Sequence, residues 1–75
     1  MIDWPDAEGD AQKALDLFKK TSLAAELEDD AEHWRFLAFA RSADPPARMI
    51  LRSDTRGTRV FTLESTGFWV EKSAA

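Results

Sequence analysis

Ala31-Glu32-His33-Trp34-Arg35-Phe36-Leu37-Ala38-Phe39-Ala40-Arg41-Ser42 admits two readings, and the choice between them decides the fold. As a helix, the stretch opens on a capping box of Asp29 with Glu32 and gathers Ala31, Trp34, Leu37 and Ala38 on one side. As a strand, it sets Trp34, Phe36, Ala38 and Ala40 on one face and Arg35, Leu37, Phe39 and Arg41 on the other. The helical reading leaves Phe36 and Phe39 off its stripe, whereas the strand reading keeps charge off its inner face. The next residues, Ser42-Ala43-Asp44-Pro45-Pro46-Ala47, suit a compact turn, since Pro45 pushes Asp44 toward extended geometry. A strand is therefore expected over 31–42, with the helix as the alternative.

Upstream, Ala7, Ala11, Ala14, Leu15 and Phe18 recur at helical spacing and predict a helix over residues 7–20. Asp3, Asp6, Glu8 and Asp10 cluster near its start and Lys19 and Lys20 close it, both complementing the helix dipole. Gly9 weakens the first turns. Ser22 is placed to cap a second helical piece, in which Leu23, Ala24 and Leu27 share a face. Downstream, residues 48–53 and 58–64 read as strands joined by Asp54-Thr55-Arg56-Gly57, with Gly57 free to adopt positive φ. Ser65-Thr66-Gly67 makes the next turn, and Phe68 to Lys72 a closing strand. The expected class is α+β: one or two N-terminal helices packed on a three- or four-stranded antiparallel β-meander. Residues 1–75 are expected to form a single compact domain, with no separable linker.

A chain of 75 residues buries only ~60–65% of its unfolded surface, so its stability is a matter of a few kcal/mol. Three Trp and five Phe nevertheless argue for a packed core rather than disorder. The absence of cysteine excludes disulfides and thiolate metal sites. Met1-Ile2-Asp3-Trp4-Pro5-Asp6 has no basic residue before an apolar run, unlike a signal peptide. No stretch approaches ~18 uninterrupted apolar residues. A cytoplasmic protein without membrane contact is expected, and the preference for Ala, Asp and Arg suggests a bacterial or phage source.

Charge is divided along the chain. Residues 1–32 carry ten acids against three lysines, whereas residues 33–75 carry all six arginines and one lysine against four acids. Such asymmetry points to surfaces for charged partners. Strand alternation predicts one of them. If Trp34, Phe36, Met49, Leu51, Phe61, Leu63, Phe68 and Val70 face the helices, the opposite face carries Leu37, Phe39, Ile50, Val60 and Trp69. Arg35, Arg41, Arg48 and Arg52 would border it. An apolar centre with an arginine rim resembles a binding hot spot, although arginine stems also cover sheets that bind nothing. In this phase Arg59 falls on the core side, an inconsistency that a strand end or a register shift would remove. The second surface is Glu26, Glu28, Asp29, Asp30 and Glu32. It is either a solvated acidic turn or a negative patch mimicking nucleic-acid phosphates.

Motifs for chemistry are sparse. His33 is the single histidine and has no second histidine, cysteine or tyrosine to complete a catalytic set. Asp29, Asp30, Glu32 and His33 supply metal-ligand types without a recognised spacing. The three glycines, at 9, 57 and 67, form no phosphate-cradling loop. No enzyme activity, cofactor or metal is expected. A nucleic-acid surface built on Phe39, Trp69 and the arginines ranks below a protein partner, because the net charge is −4 and phosphate binding favours a basic balance. The expected function is that of a small acidic regulator or inhibitor, of the antitoxin, immunity or anti-CRISPR kind. It would block a protein partner, for which a basic or nucleic-acid-binding protein is one candidate, by steric or electrostatic means. Homodimerisation through the same sheet is a further expectation.

Overall fold

The computed structural model describes residues 2–41 and 46–73. Two helices, α1 (Gly9–Lys19) and α2 (Ser22–Glu28), precede a single 3-10 turn at Ala31–His33. Four strands follow: β1 (Arg35–Arg41), β2 (Ala47–Ser53), β3 (Gly57–Leu63) and β4 (Trp69–Ser73). They form an antiparallel meander in the order β1-β2-β3-β4. The α+β class and the strand over most of 31–42 are thus as the sequence predicts. The turn expected at 42–47 falls outside the described residues at positions 42–45.

α1 buries Ala14, Leu15 and Phe18, the end of the predicted stripe. Thr21, rather than Ser22, separates the helices. Its hydroxyl donates to the Phe18 carbonyl at 2.6 Å and accepts from the Ala24 amide at 3.2 Å, so one side chain closes α1 and caps α2. Thr21 can do this because its backbone is extended (φ −85°, ψ 161°), the geometry an N-cap requires.

The two turns of the meander that are described use backbone rules legible in the sequence. Between β2 and β3, Ser53 Oγ accepts from the amides of Thr55 and Arg56 at 3.2 and 3.1 Å, and Gly57 takes φ +83°. Between β3 and β4, the Glu64 amide donates to the Phe68 carbonyl at 2.9 Å, and Gly67 takes φ +92°. A side chain at either glycine would force a left-handed conformation on an L-residue.

The core lies between the helices and one face of the sheet. Phe18 is fully buried and meets Trp4, Phe61 and Trp69 edge-on at 5.7, 5.2 and 5.2 Å. Each such pair adds ~0.5–1.5 kcal/mol beyond the area it buries. Ala47, Met49 and Leu51 of β2 complete the layer, all fully buried. No helix is long and apolar enough to cross a membrane, among the described residues.

Two expectations of strand phase are overturned. In β1, Phe36 pairs with Leu51 and Ala38 with Ile50, leaving Leu37 as an extra residue in a β-bulge. The bulge resets alternation. Phe36 and Phe39, three apart, both pack against the core, and Ala38 and Ala40 turn outward opposite Ile50 and Arg48. In β4, Leu63 pairs with Trp69 and Thr62 with Val70, so Trp69 faces inward at 6% exposure and Val70 faces outward. Phe68 precedes the strand and is 72% exposed. A one-residue change of register exchanges every side chain between faces.

Candidate interaction surface

The outward face of the sheet can be laid out from its pairings. One row across the strands runs Ala38, Ile50, Val60, Lys72; a second runs Ala40, Arg48, Thr62, Val70; a third holds Arg35, Arg52 and Thr58. The helices lie on the other side of the sheet, against Phe61 and Trp69. Ile50, Val60 and Val70 are half-buried, as expected for aliphatic residues on a face covered only by their neighbours. Arg48 and Arg52 are exposed, and no carboxylate comes within ion-pair distance of either, among the described residues. Arg35 is bonded to Asp54 at 2.9 Å and Lys72 to Glu64 at 3.4 Å, both at the margin. The face is therefore cationic, with an aliphatic centre and no aromatic side chain at any of its sheet positions.

That last feature corrects the predicted surface. Arg35, Arg48, Arg52, Ile50 and Val60 occupy the expected face, but Phe39 and Trp69 do not. Trp69 packs on Phe18, and its Nε1–H donates to the Ala14 carbonyl of α1 at 3.0 Å. The indole thus gains apolar burial and a partner for its polar edge together. Arg41 pairs with Ala47, which is buried on the helical side, and its Nε donates to the Pro46 carbonyl at 3.1 Å. Leu37, the bulge residue, is 59% exposed. Ala38, Ala40, Val70 and Lys72 join the face unanticipated, because bulge and register carry no sequence signal of their own.

The acidic run is largely engaged within the fold. The Glu28 carboxylate accepts from the Ile2 amide at 3.3 and 3.2 Å and from Trp4 Nε1 at 2.7 Å, pinning the N-terminal segment to α2. Glu26 reaches Arg59 Nη1 at 3.3 Å. Asp30 accepts from His33 Nδ1 at 2.7 Å and also bonds Arg56, which ties the 3-10 turn to the β2–β3 turn. Asp29 and Glu32 are left exposed. Asp30, Glu32 and His33 bring possible ligand atoms within 4.8 Å of one another. The Arg56 guanidinium already holds one Asp30 oxygen, so a dication there would meet a fixed positive charge. The cluster is better described as a latch between two turns. Beside it lies an open depression of about 260 Å³, lined by Glu32, His33, Arg35, Ser53, Asp54 and Thr55.

Arg59 resolves its own inconsistency. It does sit on the core side, opposite Leu51. Its guanidinium lies 5.6 Å from the Trp34 ring centroid and 5.3 Å from that of Phe61. It bonds Glu71 at 3.0 and 2.7 Å. The hydrogen bond from Arg59 holds the Glu71 carboxyl below its ordinary value, with charge attraction adding to the effect and partial burial opposing it. No protein-family model, curated protein or solved structure matches the chain, so its surfaces are read from their own chemistry.

Proposed function

We propose that this protein is a small regulator that binds another protein and blocks it stoichiometrically, using the uncovered face of its sheet. The observation carrying this reading is the combination on that face of an aliphatic centre (Ile50, Val60, Val70) with two arginines, Arg48 and Arg52, that lack a carboxylate partner among the described residues. Desolvated aliphatic area flanked by arginine suits protein recognition. Internal engagement of Glu26, Glu28 and Asp30 favours this face over the acidic run as the working surface. A nucleic-acid reading is weakened by the inward turn of Phe39 and Trp69, since single-strand binders stack bases on exposed aromatics. Kinship of role with antitoxins, immunity proteins or anti-CRISPRs, and a cytoplasmic setting, belong to the same proposal and rest on size and charge.

The test is capture from bacterial lysate with a nuclease-treated duplicate, comparing three proteins. The double variant Arg48→Glu/Arg52→Glu is expected to lose a protein that the unmodified chain retains after nuclease treatment. Asp29→Lys/Glu32→Lys is expected to keep it. Loss of the partner in the acidic-run variant alone would transfer the function to that run. Loss of all partners on nuclease treatment would make the face a nucleic-acid surface.

A further inference from the structure

β2 presents Arg48, Ile50 and Arg52 at successive outward positions, a cation, an aliphatic side chain and a second cation in a straight line. At ~3.3–3.4 Å per residue, the arginine Cα atoms stand about 13 Å apart with Ile50 midway. The neighbours on the β1 side are small: Ala38 lies across from Ile50 and Ala40 across from Arg48. On the β3 side stand Thr58, Val60 and Thr62. The result is a low shelf over Ala38, Ala40 and Ile50, bounded by Val60 and with a positive charge toward each end.

We infer that this shelf receives an extended acidic segment of the partner, in which two carboxylates flank an aliphatic residue at two-residue spacing. The inference rests on the regulator reading above and gives its partner a chemistry. An extended chain laid along β2 has the same period as β2, so acid, aliphatic and acid meet Arg48, Ile50 and Arg52 together. The carboxylates take charge-assisted bonds from guanidinium groups that make no ion pair among the described residues. The aliphatic side chain covers Ile50 and Val60. A second copy of this chain fits poorly on the same shelf: two-fold pairing would bring Arg35, Arg48 and Arg52 toward their own duplicates. A phosphate backbone offers the charge without an aliphatic group to meet Ile50.

The experiment titrates the ¹⁵N-labelled full chain with a cyclised β-hairpin peptide whose exposed strand reads Asp-Thr-Val-Thr-Asp. Controls are the same peptide with Asn for Asp and a single-stranded deoxythymidine oligonucleotide. Saturable shifts are expected in the amides of β2 and of Ala38 and Ala40. Binding should weaken at least tenfold in Arg48→Glu, in Arg52→Glu and with the Asn peptide, and should weaken as salt rises. Retained dispersion in each variant's spectrum separates lost binding from lost folding, with Arg52→Gln as a milder second variant. Equal binding of the Asn peptide, tighter binding of the oligonucleotide, or shifts caused by self-association alone would overturn the inference. If the peptide fails while a lysate partner remains sensitive to Arg48→Glu/Arg52→Glu, the extended-segment inference falls and the regulator reading stands. If that partner is also insensitive, both fall.

Discussion

Trp69 and Arg59 show how single side chains organise this small core. Trp69 meets Phe18 edge-on and donates to the Ala14 carbonyl, linking the last strand to the first helix. Trp69→Ala is expected to cost ~3–5 kcal/mol by leaving a cavity, which is comparable to the whole stability of so short a chain. Trp69→Phe keeps a ring but removes the indole donor, while the Ala14 carbonyl keeps its place in the α1 ladder, so the lost hydrogen bond should cost about 0.5–1.5 kcal/mol. Thermal melts followed by near-UV circular dichroism distinguish these outcomes; a stable, unshifted Trp69→Ala would place the indole outside the core. Arg59 tolerates its inward position because Glu71 and Glu26 satisfy it and two rings lie beneath it. Since the folded Glu71 carboxyl lies below its ordinary value of 4.5, its contribution is fully present above that pH. It is lost as pH falls through the lower folded value. Melting temperature between pH 6 and pH 2.5 should therefore drop less steeply for Glu71→Gln than for the unmodified chain, the two converging in acid; parallel curves would mean that the pair does not stabilise the fold.

At the scale of elements, β1 is the instructive case. Its strand-like alternation puts Phe36 and Phe39 on opposite faces, whereas the core takes both. The bulge at Leu37 reconciles them, since one inserted residue lets side chains three apart share a face. Deleting Leu37 should therefore leave Phe36, Ala38 and Phe39 on their present faces and restore a regular ladder. Deleting Thr62 from β3 should instead drive Leu63 out of the core layer and disrupt the pairing with β4. Amide hydrogen exchange checks this: protection across β1 and β2 should survive the first deletion, and protection across β3 and β4 should vanish in the second. Collapse of both proteins would show that Leu37 has a packing role beyond that of a bulge residue. The β4 register has a different origin. The loop of residues 64–68 sets which residue first opposes Leu63, and that residue is Trp69. Alternation alone, counted from Phe68, selects the wrong face.

For the whole molecule, the helices and their acids cover one side of the sheet, while the other keeps Arg48 and Arg52 exposed beside aliphatic residues. Partner binding through that side should follow its charge, with association slowing as ionic strength rises. Stopped-flow association rates for the captured partner at 50 and 300 mM salt test this; a salt-independent rate would assign recognition to the aliphatic centre alone.

Local composition was enough to determine the helical segments, the glycine turns, the boundaries of β2, β3 and β4 within one residue, and the α+β class, whereas β1 begins four residues later than its sequence suggests. Each of these depends on neighbours a few residues apart, through period, capping and positive φ. The face that each aromatic occupies was decided only by the tertiary structure. Facing depends on the bulge and the hairpin register, and these are settled by which side chains fill the space beneath Phe18. The same long-range packing engaged much of the acidic run, with Arg59, Arg56 and the N-terminal segment as partners distant in the chain. It left the cationic side of the sheet uncovered by the helices and stripped of the aromatics assigned to it.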